Sequence, residues 1–375
     1  MNKKRIGIVI QKYGQIGGAE NFTFNLTERL AKFKDLEIHV FANEWERGCS
    51  SVMFHKVPMI KYPRWLKPIS FAYFASRAVK KMCCDIVHSH ERIFNMDILT
   101  YHGIPHVTWA KRIKKSYYLS WFDRSTIWTE KRGFSNESLL VLPVSSLVKD
   151  ELLGVFNIPE DRIEIIHPGI ELSKYMPSEP HEHRKKIRQL HNISNNDVVI
   201  LFVSMNFEIK NLDLVLQAIA HLSSHLKSIK LLVAGKGNTK KYTKIADSLG
   251  ISENVIFTGV VRNIHEYYLA SDIFVLPSQF DTFALVVLEA MASGLPVIIS
   301  SNVGAKDIID PDLNGIILPE NYTSKNMAEA LERLMNLDYR KSLAKQALKT
   351  AELYSWDNHV NKIKKIYDSR IDNSH

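Results

Sequence analysis

Two carboxylates with seven residues between them, Asp281 and Glu289, are the sharpest chemical feature of this sequence. They lie in the run Pro277-Ser278-Gln279-Phe280-Asp281-Thr282-Phe283-Ala284-Leu285-Val286-Val287-Leu288-Glu289-Ala290-Met291-Ala292-Ser293-Gly294-Leu295-Pro296-Val297. The pattern predicts a strand ending at Pro277 and a helix that begins near Phe283 or Ala284 and stops at Gly294, since Pro296 bars continuation. Asp281 then sits just before the helix, placed to cap it or to accept from ligand hydroxyls. Glu289 falls inside an otherwise apolar helix, where a carboxylate needs a partner or a ligand. Vicinal sugar diols suit it, because two hydroxyl donors match one bidentate acceptor. A helix cap plus a structural salt bridge is the plainer reading of the same residues.

Two glycine turns could receive phosphate. The first apolar run ends in Gln11-Lys12-Tyr13-Gly14-Gln15-Ile16-Gly17-Gly18-Ala19-Glu20 and opens a helix. Adjacent glycines let a ligand approach the backbone, and free amides at a helix start attract phosphate. This is not a GxGxxG fingerprint, and a bare strand-to-helix turn accounts for it as well. The second turn, Gly235-Lys236-Gly237-Asn238, taken alone reads as structural. No aspartate pair with metal-ligand spacing stands out.

Short β-rich runs alternate with helical patterns throughout. Strands are expected at 5–10, 37–42, 85–89, 98–102 and 139–144, with Phe22, Leu26 and Leu30 forming one helical stripe between the first two. Strand, crossover helix, strand is the pattern of a parallel sheet covered on both faces. Pro168-Gly169 closes the segment 164–167, and a polar stretch with three histidines runs from Pro177 to Asn196. The pattern then restarts with strands at 198–203, 230–234, 255–258, 273–276 and 296–300, and helical stretches such as 212–225. Two doubly wound α/β domains joined near residues 166–196 are expected, with ligands at the carboxyl ends of the strands in a cleft between facing sheets. A closing helix over 354–368 carries Trp356, Val360, Ile363 and Ile366 on one stripe.

At 375 residues two domains are the natural expectation, and the composition, 45% hydrophobic and 24% charged, suits a folded protein. The basic start, Met1 to Arg5, precedes an apolar run of only Ile6 to Ile10, which reads as a buried strand rather than an export signal. No run approaches membrane-spanning length. Cys49, Cys83 and Cys84 form neither a disulfide framework nor a metal motif, so a reducing cytoplasm fits best. Charge is uneven: residues 1–165 hold 25 basic against 17 acidic residues, and 51–132 hold 15 against 5. That stretch also carries Trp65, Phe71, Tyr73, Phe74, Trp109, Tyr117, Tyr118, Trp121, Phe122 and Trp128. Basic residues among aromatics suit an anionic membrane surface or a phosphorylated glycan. A solvated surface over buried aromatics is the alternative, and no nucleic-acid motif accompanies the charge.

The acidic motif with its Ala290-Met291-Ala292-Ser293-Gly294-Leu295-Pro296-Val297 tail resembles that of the family-4 retaining glycosyltransferases of the GT-B fold. The likeness extends through Gly17-Gly18-Ala19-Glu20, Asp85-Ile86-Val87-His88-Ser89-His90, Pro168-Gly169-Ile170, Lys210, Gly235-Lys236-Gly237 and the Trp356 helix. Tyr13, the double glycine, residues 207–211 and the closing pattern most resemble bacterial enzymes that add glucose to the heptose core of lipopolysaccharide. The resemblance implies an N-terminal acceptor-binding domain of residues 1–168 plus a C-terminal helix over about 356–375. It implies a C-terminal donor-binding domain over 169–355.

By that resemblance Glu289 binds the donor ribose, and Asp281 contacts hydroxyls of the transferred sugar. Lys210 neutralises the diphosphate, aided by backbone amides at Gly18, Leu285 and Val286, with Gly17 also in the donor site. Phe283, Ala284 and Gly235 line the donor site, and Val261, Arg262 and Asn263 form the base-binding loop. His102 lies beside the reacting carbon, with Glu20 on the acceptor side. Two departures matter: Asp281 stands where the family usually has Glu, and Met205 where it commonly has an arginine, leaving more phosphate neutralisation to Lys210.

The expected reaction moves a hexose, glucose, from a uridine diphosphate (UDP) sugar to a hydroxyl of a lipopolysaccharide core or other lipid-linked glycan. It retains anomeric configuration and needs neither metal nor cofactor. The expected location is cytoplasmic and peripheral, at the inner face of the membrane, without nucleic-acid partners. Rival readings are another GT-B sugar-nucleotide enzyme, epimerase or synthase in type, and a non-catalytic sugar-nucleotide-binding module.

Overall fold

The computed structural model describes residues 3–15, 17–46, 48, 51–112, 114 and 118–372, so Ile16, Cys49 and Tyr117 of the motifs above lie outside the described residues. The chain divides into two units, residues 1–169 with 356–375, and residues 170–355.

The first unit is built on a parallel sheet of six strands, β1 (Lys4–Val9), β2 (Leu36–Ala42), β3 (Val52–Lys56), β4 (Ile86–Ser89), β5 (Ile98–Tyr101) and β6 (Leu140–Pro143). Their order is β3-β2-β1-β4-β5-β6. Strands 4 and 5 are wholly buried, as a sheet covered on both faces requires. Segment 164–167 forms no strand, but Glu164 N and Ile166 N donate to the carbonyls of Val141 and Pro143 and run it beside β6.

The second unit repeats the plan with β7 (Val198–Ser204), β8 (Ile229–Gly235), β9 (Val255–Gly259), β10 (Ile273–Leu276), β11 (Val297–Ser300) and β12 (Gly315–Leu318), ordered β9-β8-β7-β10-β11-β12. Every pairing is parallel. Both sheets therefore reverse their winding beside their first strand, between β1 and β4 and between β7 and β10, and such switch points open crevices at the carboxyl ends of the strands.

Two expectations are corrected and one helix is found where expected. The polar stretch 177–196 contains a helix, Pro180–Leu190, which belongs to the second unit. It is pinned by Arg188, 2% exposed, whose Nη2 donates to Asp272 Oδ2 at 2.7 Å and whose Nε donates to the Ala270 carbonyl. Arg184 Nη2 donates to the other oxygen of Asp272, also at 2.7 Å. The helix expected over 212–225 ends at His221. The helix of the acidic motif spans Leu285–Ala292, with Ala284 before it in the left-handed region at φ 69°.

The closing helix, Trp356–Asp372, buries Trp356, Val360, Ile363, Tyr367 and Ile371 in one core with Phe22, Leu26 and Leu30 of helix Gly18–Leu30. Gly169 is fixed by this packing, since a Cβ there would lie 2.9 Å from the Trp356 ring.

Candidate functional site

In the second unit the expected donor residues gather at the carboxyl ends of β7 to β10. Lys210 follows β7 on a turn held by Asn206, whose Oδ1 accepts from the amides of Glu208 and Ile209 at 3.1 Å. Asp281 follows β10. Lys210 Nζ lies 2.5 Å from Asp281 Oδ2 and 3.2 Å from the Phe280 carbonyl, and Gln279 N donates to the Ile209 carbonyl at 2.9 Å. This ion pair thus bridges the crevice at the switch point. The other carboxylate oxygen of Asp281 accepts from Phe283 N at 3.2 Å and orders the turn into the helix.

Leu285 and Val286, both half-buried, open that helix, where first-turn amides have no partner within the helix. Phe283 and Ala284 are 3% and 7% exposed, so their side chains belong to the core and only their backbone is placed to meet a ligand. Glu289 has the partner that a carboxylate inside an apolar helix needs. Its Oε2 accepts from Tyr268 OH at 2.9 Å, and Tyr175 bonds it too. Burial raises its pKa, while the two tyrosines and nearby Lys174 oppose that shift. Neither tyrosine carries a sequence signal, since both are remote along the chain.

Gly235 is explained by geometry: it has φ 121°, and a Cβ would fall 1.7 Å from the Ser204 carbonyl. Val261, Arg262 and Asn263 join β9 to helix Ile264–Ala270, the first half-buried and the other two exposed.

In the first unit Gly17 and Gly18 precede and open helix Gly18–Leu30 after β1. Gly17 has extended backbone, where a Cβ would fall 2.6 Å from Glu20 Oε2, whereas a Cβ on Gly18 would meet nothing within 4 Å. Glu20, half-exposed, curls back over Gly17.

His102 follows β5, and its Nε2 lies 3.0 Å from Nδ1 of His90, which follows β4. Phe22 packs edge-on against His102 with centroids 4.7 Å apart and also touches His90 and His359. His88 is bonded to Tyr367 OH at 2.6 Å and Thr100 Oγ1 at 2.7 Å. Burial is the chief cause that lowers the pKa of His88 and His102 to about 3 and of His359 to about 4, so the cluster is neutral at physiological pH. His90, which sets the orientation of His102, is readable only as the second histidine of His88-Ser89-His90.

Of the basic stretch, Trp65, Tyr73, Trp109, Tyr118, Trp121 and Trp128 are exposed, and Tyr118 is 89% exposed. Phe71 is buried in the core, while Phe74 and Phe122 are half-buried. Among the described residues no helix is long and apolar enough to cross a membrane.

Two repeated parallel sheets, each with polar residues and a helix start at its switch point, define a two-unit doubly wound α/β fold. Comparison with known proteins narrows it. Residues 16–174 match the family described as Glycosyltransferase Family 4, and 183–350 match Glycosyl transferases group 1. An uncharacterised glycosyltransferase of Methanocaldococcus jannaschii is 31% identical over 237 residues, 62% of this chain and 60% of its own length. The chain spans about half the length of the next curated relatives. Among solved structures, WaaG, a glycosyltransferase involved in lipopolysaccharide biosynthesis, superposes with TM-score 0.79 at 20% identity, covering 96% of this chain and 99% of that one. Anabaena HepE in complex with UDP-glucose gives 0.73 at 15%, covering 97% and 99%. The two parts of the chain thus each resemble a glycosyltransferase family, and the chain as a whole has the GT-B fold.

Proposed function

We propose that this protein transfers a hexose, glucose, from a UDP-sugar to a hydroxyl of a lipopolysaccharide core or other lipid-linked glycan, with retention at the anomeric carbon. The observation that carries the reading is the Lys210–Asp281 pair across the switch point of the second unit, beside the helix start at Leu285 and Val286. A diphosphate entering there takes Lys210 from Asp281. The lysine and first-turn amides then neutralise charge on the departing UDP, and the released carboxylate accepts from the sugar hydroxyls. Glu289, steadied by Tyr268 and Tyr175, offers its carboxylate to the ribose diol. Catalysis rests on positioning and on this preorganised charge, without calling on a metal ion.

His102, kept neutral and oriented by His90, lies on the acceptor-binding first unit in this reading. The exposed aromatics among basic residues of that unit support an acceptor held at an anionic membrane surface at the cytoplasmic face. Phosphate neutralisation without an arginine at Met205, which is 66% exposed, falls to Lys210.

The test is a donor screen by UDP release, followed by anomeric analysis of the product formed on deacylated lipopolysaccharide acceptors. Glucose transfer with retention is expected. Failure to hydrolyse or transfer any nucleotide sugar refutes the enzymatic reading, and liposome binding indifferent to anionic lipid refutes the membrane part.

A further inference from the structure

We propose that His183, His265 and Glu266 form a three-ligand site for a divalent transition-metal ion of the zinc class, apart from the transfer chemistry above. His183 comes from helix Pro180–Leu190, the segment that reads in sequence only as a polar stretch, and the other two come from helix Ile264–Ala270. One donor atom from each residue lies within 4.8 Å of the others, and His183 Nδ1 stands 3.4 Å from Glu266 Oε1. Zinc bonds of about 2.1 Å in tetrahedral array put neighbouring donors about 3.4 Å apart. One edge of the triangle therefore has that spacing already, and the others close by at most about 1.4 Å, within reach of side-chain rotation.

A second observation points to a ligand. His265 Nδ1 is buried from solvent and has no hydrogen-bond partner among the described residues, a position that costs free energy unless something occupies the lone pair or proton. A metal ion on that nitrogen removes the cost. Glu266 is shared at present with Lys186, whose Nζ is 2.9 Å from both carboxylate oxygens. The lysine side chain is 61% exposed while the carboxylate is 9% exposed, so the lysine can withdraw into water and leave the oxygens facing the imidazoles. Lys174 also acts on His265, and together the two lysines oppose a cation.

The donor set decides the class of ion. Two imidazoles and a carboxylate suit zinc, copper, nickel or cobalt rather than magnesium or calcium, and three protein ligands leave a fourth position for water or an incoming group. The ion would clamp helix Pro180–Leu190 to the helix that carries Tyr268, the partner of Glu289.

Untagged full-length protein, stripped with chelator, is titrated calorimetrically with zinc chloride and, separately, with cobalt(II) while its visible d–d absorption is followed. One saturable site is expected for each ion, accompanied by raised thermal stability. His183→Ala and His265→Ala should each weaken it by more than the roughly 10–100-fold that loss of an outer-shell partner costs. His181→Ala, an exposed histidine on the same helix, should change nothing. Lys186→Ala, on the solvent side, should tighten binding several-fold by removing the competitor. Absence of a saturable site overturns the proposal, as does a site that survives both ligand substitutions or a Lys186→Ala variant that binds no tighter than the parent.

Discussion

Replacing Asp281 by asparagine should separate binding of UDP from transfer of its sugar, in opposite directions. Lys210 and Asp281 meet at 2.5 Å with side chains only 18% and 21% exposed. A diphosphate that recruits Lys210 must first break that pair. Exposed ion pairs are worth about 0–1 kcal/mol, and the partial cover here favours the upper end, about 1 kcal/mol. Asp281→Asn removes the competing charge with little change of shape, so UDP should bind about 5-fold more tightly, at 1.4 kcal/mol per decade. The same change removes the charged acceptor for the sugar hydroxyls. A hydrogen bond to a charged group contributes about 1.5–3 kcal/mol, so kcat/KM should fall about 10–100-fold. Calorimetric titration with UDP beside steady-state rates of transfer checks both. Unchanged or weaker UDP binding by the variant would refute the exchange of partners.

Lys210→Ala should lower kcat about 100–1000-fold, the cost of losing one preorganised donor to developing charge, in the UDP-release assay. Glu289→Gln should stabilise the fold increasingly as pH rises. The carboxyl of Glu289 has its pKa raised above 4.5, so the stability it contributes is complete below 4.5 and is lost as pH climbs through the raised value. Thermal melts of both forms near pH 4 and near pH 7 should show a gap that widens at the higher pH. Asp272→Ala strands the guanidinium of Arg188, a buried partner, and should cost about 3–5 kcal/mol in chemical denaturation. Ala284→Gly relieves a left-handed alanine and should add about 1 kcal/mol by the same measurement.

The central strands were legible because a parallel sheet buried on both faces leaves unbroken apolar runs, as in the Val198–Ser204 sequence VVILFVS. Of the edge strands β6 and β9 were legible too, but β3 and β12 were not. β3 mixes Met53, His55 and Lys56 into a half-exposed strand. Helix Leu66–Met82 was hidden by its own surface: the eye falls on its aromatics and lysines, whereas Phe71, Ala72, Ala75 and Val79 carry its buried stripe. At the candidate site, residue types showed in sequence but their pairings did not. Lys210 and Asp281 are 71 positions apart, and only the adjacency of β7 and β10 brings their loops together. The same holds for Tyr268 on Glu289, whereas the His88-x-His90 spacing was a local signal for a buried cluster that a reading centred on His102 passes over.

The return of the chain to its first unit has a consequence for biosynthesis. Residues 170–355 form a continuous folding unit, but the first unit is discontinuous, completed by Trp356, Val360, Ile363, Tyr367 and Ile371. On the ribosome the later-made domain can therefore finish its core before the earlier-made one. Until the last helix emerges, Phe22, Leu26 and the His88 ring lack the neighbours that cover them, and a nascent chain shorter than about 370 residues exposes a hydrophobic groove for chaperones to hold.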